Sequence, residues 1–385
     1  MRVKDIKDRE SLQAWLEALP QGTEAEREEA RRWAVAIAHR AAMRVLPVFW
    51  GWSLSAPARK REVTALPILR SSLVSGVAAI RLTSEINSAN AFAARAIHVP
   101  KNALALRRAQ AYQASNAVEA TSMAADVAAA FDTATYVANA VGAVGFSTTN
   151  SARRFKMVRA DCSALSQNEA LDLMPLWQDE NRLTQLWADT SPQILAQGEG
   201  WRFWVDWYDN ALHGRPQDDD LLTKIALIAS EDWDKGADHV NALIRRIIEQ
   251  HRLANEARAL KEEVAQLKRQ LDAIEQRSHN NPPELVDYTI ATREQVTIIW
   301  AVLDEAEQEL EKPDPDPGTL ARVGQLLIDT AKAIASYCAS LGHLAMTSAV
   351  KTAAAATTGI IIASQSERLQ AFGQALLQFA RSLGN

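Results

Sequence analysis

The chain has 385 residues, 48% hydrophobic and 23% charged, with a formal net charge of −5. This length and apolar content suit two or three globular domains and exclude a chain too polar to bury a core. Two distant cysteines, Cys162 and Cys338, make neither a disulfide framework nor a zinc signature.

Those cysteines fit a reduced, cytoplasmic setting, and the opening stretch, Met1 to Trp15, is charged throughout and lacks the apolar core of a secretory signal. Charge is unevenly spread. Residues 1–160 carry 22 Lys/Arg and 13 Asp/Glu, hence +9, and residues 161–385 carry 20 and 34, hence −14. Opposed halves can attract each other within or between chains. The alternative is that the basic half meets lipid headgroups or nucleic acid, of which nucleic acid is the less favoured partner. Segments rich in Ala, Leu, Glu and Arg favour helix, and no alternating strand pattern is found. The expected fold is all-α, with helical bundle modules joined by a central coiled coil. The expected divisions are an Ala-rich basic domain (1–150), a Trp-rich module (151–240), a long helix (241–279) and a C-terminal hairpin or bundle (280–385).

In chain order, Leu12, Trp15, Leu16 and Leu19 mark a short amphipathic helix stopped at Pro20-Gln21-Gly22. Thr23 followed by Glu26 is a capping box opening a second helix to about Val45, with Trp33, Ile37, Ala41 and Val45 as its buried stripe. Arg40 and Arg44 lie beside that stripe. Pro47 to Pro57 is expected to break the helix, leaving Phe49, Trp50 and Trp52 in an aromatic loop before Arg59-Lys60-Arg61. Pro67 suits the first turn of a helix with Leu69, Leu73, Val77 and Ile80 on one face, reaching towards His98 and stopped by Pro100. An Ala-rich helical stretch from about Asn102 to Val141 is closed by Gly142 and Gly145. Arg153, Arg154, Lys156 and Arg159 then cluster at a junction, where they could hold phosphate or an acidic partner, or stand solvated.

Beyond Asp161 the chain turns tryptophan-rich. Ser191-Pro192 reads as a helix start, and Trp201, Trp204 and Tyr208 fall on one face of a helix that Gly214 ends. Such a face can stack on a ligand or fill a core. The string Trp201-Arg202-Phe203-Trp204-Val205-Asp206-Trp207-Tyr208 with Leu212-His213-Gly214, and the later Ser278-His279-Asn280-Asn281-Pro282-Pro283-Glu284, resemble segments of a loose group of uncharacterised bacterial helical proteins. The resemblance spans residues 170–285. It implies a helical module and no catalytic residues. Asp218-Asp219-Asp220 suits a helix start, where carboxylates favour the positive dipole end. Asp232, Asp234, Asp238 and His239 could be imagined as a metal site but also fall where a helix begins, so no metal is assigned.

A helix from about Gly236 should run some forty residues, about 60 Å at the usual rise. Within it Leu253, Ala257, Leu260, Val264, Leu267, Leu271 and Ile274 alternate spacings of four and three, the a/d seam of a coiled coil. In a parallel pair Glu256 would face Lys261, and Glu263 would face Lys268, so a homodimer or higher oligomer is expected. The Asn280-Asn281-Pro282-Pro283 string ends this helix. Another follows from about Val286 to Glu311, and Thr319 can cap the next after a Pro-rich break. The stretch from Ala333 through Gly342 to Val350 is uncharged, as is Thr352 to Ser366 with Gly359. Each is near the lower limit for spanning a bilayer. A membrane segment, with inner-membrane association, is therefore the alternative to a closely packed hairpin.

No phosphate loop, dinucleotide fingerprint, metalloprotease motif or nucleophile elbow is present, and no cofactor is implied. The leading expectation is a non-enzymatic, self-associating interaction protein. The alternatives are a membrane-inserting or pore-forming protein using residues 333–366, and an enzyme or ligand receptor with its pocket in the Trp-rich module.

Overall fold

The structure, a computed structural model, describes residues 1–96, 109–129, 133–147, 151–277, 283–347 and 353–384. The fold is all-α: sixteen helices and no strand among the described residues. The chain divides into two compact units, Met1–Arg245 and Arg246–Asn385. The expected boundary near residue 150 is not one of them, because side chains on both sides of it share one core.

The first unit is built around α2 (Glu24–Ser53), which packs against helices on several sides. Its start is the expected capping box: Thr23 Oγ1 accepts from the Glu26 N–H, and Glu26 Oε2 accepts from the Thr23 N–H at 2.8 Å. Its end corrects the sequence reading. The helix passes through Pro47, and Phe49, Trp50 and Trp52 are buried in the core, not in a loop. A proline inside a helix removes the N–H that would bond the carbonyl four residues back, here Met43. The Tyr208 hydroxyl donates to that Met43 oxygen at 3.2 Å, so the orphaned acceptor is satisfied from another helix. The Arg59-Lys60-Arg61 turn that follows is exposed.

Before α2, α1 (Arg9–Glu17) buries Leu12, Trp15 and Leu16 as expected. After it come α3 (Ala56–Arg59), α4 (Leu66–Ile80) and α5 (Ser84–Ala96). Pro67 sits in the first turn of α4, with Leu69, Leu73 and Val77 buried and Ile80 exposed. The helix stops at Ile80; His98 and Pro100 lie outside the described residues. The Ala-rich stretch forms α6 (Ala109–Ala129) and α7 (Thr133–Ser147), and α7 runs through Gly142 and Gly145 instead of ending there. Both pack on α2. Next is α8 (Ser151–Ser166).

In α9 (Arg182–Leu195) the cap is Asn181, whose side chain accepts from the Leu183 and Thr184 N–H groups. Pro192, expected to start a helix, lies inside this one. α10 (Arg202–His213) ends at Gly214 as expected, and α11 (Asp219–Ala226) starts on the Asp218 cap. A short α12 (Ser230–Trp233) precedes α13 (Ala237–Arg277). Apart from the half-buried Trp201, the tryptophans of this region are core: Trp187 lies 5.5 Å from Trp50 and 4.4 Å from Tyr208 between ring centres. Trp204 is fully buried and donates its indole N–H to Asn241 Oδ1 at 2.9 Å.

The second unit contains the rest of α13 with α14 (Pro283–Leu310), α15 (Pro317–Thr347) and α16 (Ala353–Leu383). Here the heptad stripe is corrected. Leu253, Ala257, Leu260, Val264 and Leu267 are buried within their own chain, in one cluster with Leu303, Leu310, Leu327, Phe372 and Leu376. The side chains of Leu271 and Ile274 lie outside the described residues. A seven-residue repeat specifies an apolar seam but not which helix covers it; here other helices of the same unit do. The flanking charges follow. Lys261 bonds Asp304 at 2.8 Å and also Glu307, Glu263 accepts from Arg368 at 2.7 Å, and Glu256 pairs with Arg252 at 2.8 Å. Lys268 is half-buried. α15 and α16 cross with backbones in contact: a Cβ at Gly324 would lie 2.8 Å from the Gly373 carbonyl oxygen. α15 is capped by Asp316, which accepts from the Thr319 N–H at 2.6 Å; Thr319 itself is not the cap. No described helix is long and apolar enough to cross a membrane. Ala333 is exposed on α15, and the surroundings of Gly342, Val350 and Gly359 lie outside the described residues.

Two outcomes follow from this packing. Tyr208→Phe strands the Met43 carbonyl and should cost about 1–3 kcal/mol in denaturant unfolding. In a Pro47→Ala background, where the helical N–H returns, the same change should cost less. Leu260→Ala should destabilise the second unit by about 2–5 kcal/mol. That loss should be independent of protein concentration, because the cavity opens inside one chain; a concentration-dependent midpoint would place the leucine at an interface.

Candidate ligand-binding site

Arg40 and Arg44 sit four residues apart on α2 and therefore share a face. Both reach Asp161 on α8. Arg44 donates to the carboxylate at 2.7 and 2.9 Å, and Arg40 donates at 3.0 Å. All three side chains are almost fully buried. Two guanidiniums against one carboxylate would leave a positive charge in the interior. The carbonyls of Leu171, Met174, Pro175 and Leu176 accept four further N–H bonds at 2.7–3.0 Å, turning their negative dipole ends on that charge. Burial alone would raise the Asp161 carboxyl, but the charges of Arg44 and Arg40 outweigh it and hold it below the ordinary carboxylate value.

The chain from 171 to 176 is placed by Gly214. This residue is left-handed at φ +64°, and a Cβ there would lie 2.6 Å from the Pro175 nitrogen and 2.7 Å from the Leu173 oxygen. Only glycine allows that approach. The Leu176 N–H then donates to the Leu212 carbonyl at 3.1 Å.

Between this segment, α2, α4, α10 and α11 lies a cavity of about 380 Å³. Trp33, Met43, Leu73, Val77, Leu176, Trp207 and Leu222 make its apolar wall. Among its polar groups His39 is the most constrained. Ser75 Oγ spends its single hydrogen on the Ser72 carbonyl at 3.0 Å. It can therefore only accept from His39 Nδ1, 3.1 Å away, so Nδ1 carries the ring proton and Nε2 a lone pair. Gly76 leaves room for the ring: a Cβ there would sit 2.9 Å from His39 Cε1. Burial, with the nearby Arg40 charge, lowers the imidazole to about 3, so the ring is neutral near pH 7. Asp219 is shifted the other way, raised by burial and then by Asp172, Asp218 and Asp220.

The residues singled out from the sequence fall elsewhere. Trp204 and Tyr208 are core and Trp201 is half-buried, so the three do not form an open stacking face. The side chains of Arg153 and Arg154 lie outside the described residues. Lys156 is exposed, and Arg159 donates to the Ile6 carbonyl at 2.7 Å, anchoring the N-terminal segment. Asp232 binds His239 Nε2 at 2.9 Å and Lys235 at 2.7 Å, and no metal-ligating group of three occurs among the described residues. His39 and the Arg40–Arg44–Asp161 cluster were missed as site residues. The available signal was two arginines one turn apart beside an apolar stripe, with nothing to point to Asp161. Comparison with protein-family models, curated proteins and solved structures finds no match.

His39 makes a pH prediction. Its folded value, about 3, lies below the ordinary 6.5. Between the two the unfolded chain binds a proton that the folded chain refuses, so acid favours unfolding. This contribution is absent above about pH 6.5 and grows as pH falls, at up to about 1.4 kcal/mol per pH unit. His39→Asn, whose amide can keep the Ser75 bond, should flatten the loss of stability between about pH 7 and pH 5 in denaturant titrations; an unchanged slope would show that the ring titrates freely.

Proposed function

We propose that the chain is a binding protein whose first unit takes up a small, partly apolar molecule in the cavity between α2, α4 and the 165–222 segment. The observation that carries this reading is the pairing of an apolar cavity with one oriented polar group, His39 Nε2, which has no hydrogen-bond partner among the described residues. Ligand pockets commonly have about 300–1,000 Å³, mostly apolar walls and a few placed polar groups. The Arg40–Asp161–Arg44 cluster supports the reading because it fixes two walls of the cavity against each other before any ligand arrives. Self-association would need a surface other than the Leu253–Leu267 stripe, whose side chains are already covered.

The test uses the full chain and a neutral solvatochromic dye such as Nile red. Wild type should give a saturable, blue-shifted signal. Ala36→Trp, which fills the cavity from α2, should weaken binding by about tenfold or more, since the space for the dye is lost, while the helical circular dichroism is retained. Identical binding curves for the two proteins would remove the cavity as the site.

A further inference from the structure

We propose that the cavity selects an organic cation: a protonated amine on an aromatic or branched apolar body. This rests on the binding reading above and adds the chemical class of the ligand.

The inference begins with the charges that line the space. The exposed Glu29, Glu169 and Asp172 and the half-buried Asp219 line it, and none has an ion-pair partner among the described residues. Against them stand the exposed Arg32 and the buried Arg40, whose cluster with Arg44 and Asp161 keeps one positive charge, so two lining cations face four carboxylates. The balance is negative. A cavity with low-dielectric walls concentrates such a field, and it strengthens the pull on a cation that enters. Asp219 is the half-buried member; Asp172 opposes its ionisation, and Arg81 on its other side, paired with Asp220, favours it more weakly. A cation bound between Asp172 and Asp219 would relieve their repulsion.

Two further features favour a cation carrying N–H groups. His39 Nε2 offers a lone pair and no hydrogen, because Ser75 holds the proton on the other nitrogen. An N–H donor meets it without a competing acceptor, while the Arg40 charge and the burial that keep the ring neutral set the positive centre itself towards the carboxylates and away from His39. A carboxylate would face acceptors at His39, Asp172 and Asp219 alike. The wall also contains Trp33 and Trp207, indoles of the kind that attract cations through the ring face and cover an apolar body through their area.

The test displaces Nile red from the full-length protein with three compounds of one shape: 2-(1-naphthyl)ethylammonium, 2-(1-naphthyl)ethanol and 1-naphthylacetate. The ammonium should bind about tenfold or more tighter than the alcohol, with the acetate weakest, as electrostatic discrimination requires. Added salt should narrow the gap between ammonium and alcohol. Asp219→Asn should bring that ratio down several-fold. Asp172→Asn, at an exposed position, should do the same in part and serves if the first variant folds poorly. Equal binding of ammonium and alcohol, tighter binding of the acetate, or displacement by none of the three would overturn the proposal while leaving dye binding intact. Absence of dye binding to wild type would instead remove the reading beneath it, and the proposal with it.

Discussion

The first unit depends on a buried carboxylate shared by two arginines. Asp161 holds Arg40 and Arg44, and the arginines in turn hold the chain from Leu171 to Leu176 by its carbonyls. Burying three charges is costly unless they are paired and further hydrogen bonds offset the lost hydration. That condition explains why the 171–176 segment is held close and why Gly214, with no side chain to obstruct, stands against it. It also fuses regions that composition separates. The basic Ala-rich part and the Trp-rich part share this cluster, and no independent core divides them near residue 150.

The second unit solves a different problem with plainer means. An apolar seam on α13 finds its cover in helices of the same unit, and salt bridges from Arg258 and Lys261 to Glu307 line its edge. Most of these ions are partly exposed, so they contribute little beyond register. Burial of Leu253, Leu260 and their neighbours supplies the stabilisation, at roughly 1.5–3 kcal/mol for each large side chain.

Local signals in the sequence foretell the structure, and long-range partners leave no such signal. The capping box at Thr23, the first-turn Pro67, the Asp218 cap and the Gly214 stop each depend on residues within one turn of each other, and each stands where expected. Pro47 and Pro192 misled because the damage a proline does to a helix depends on whether the freed carbonyl finds another donor. For Pro47 the donor is Tyr208, remote in sequence. The heptads misled for a related reason: periodicity describes one face, and its occupant is a tertiary fact. The candidate site was the least legible part. His39 has nothing unusual around it in sequence; its neutral state and oriented nitrogen arise from Ser75 and Gly76 on a second helix and from burial between them.

Cys162 adjoins Asp161 in sequence and is fully buried, with its thiol pushed far from ionisation. Only the thiolate reacts readily with alkylating reagents. A probe molecule must therefore wait for the packing around α8 to open before it can modify this sulfur. The cysteine thus acts as an internal clock, its labelling rate under native conditions counting how often the interior of the first unit comes open.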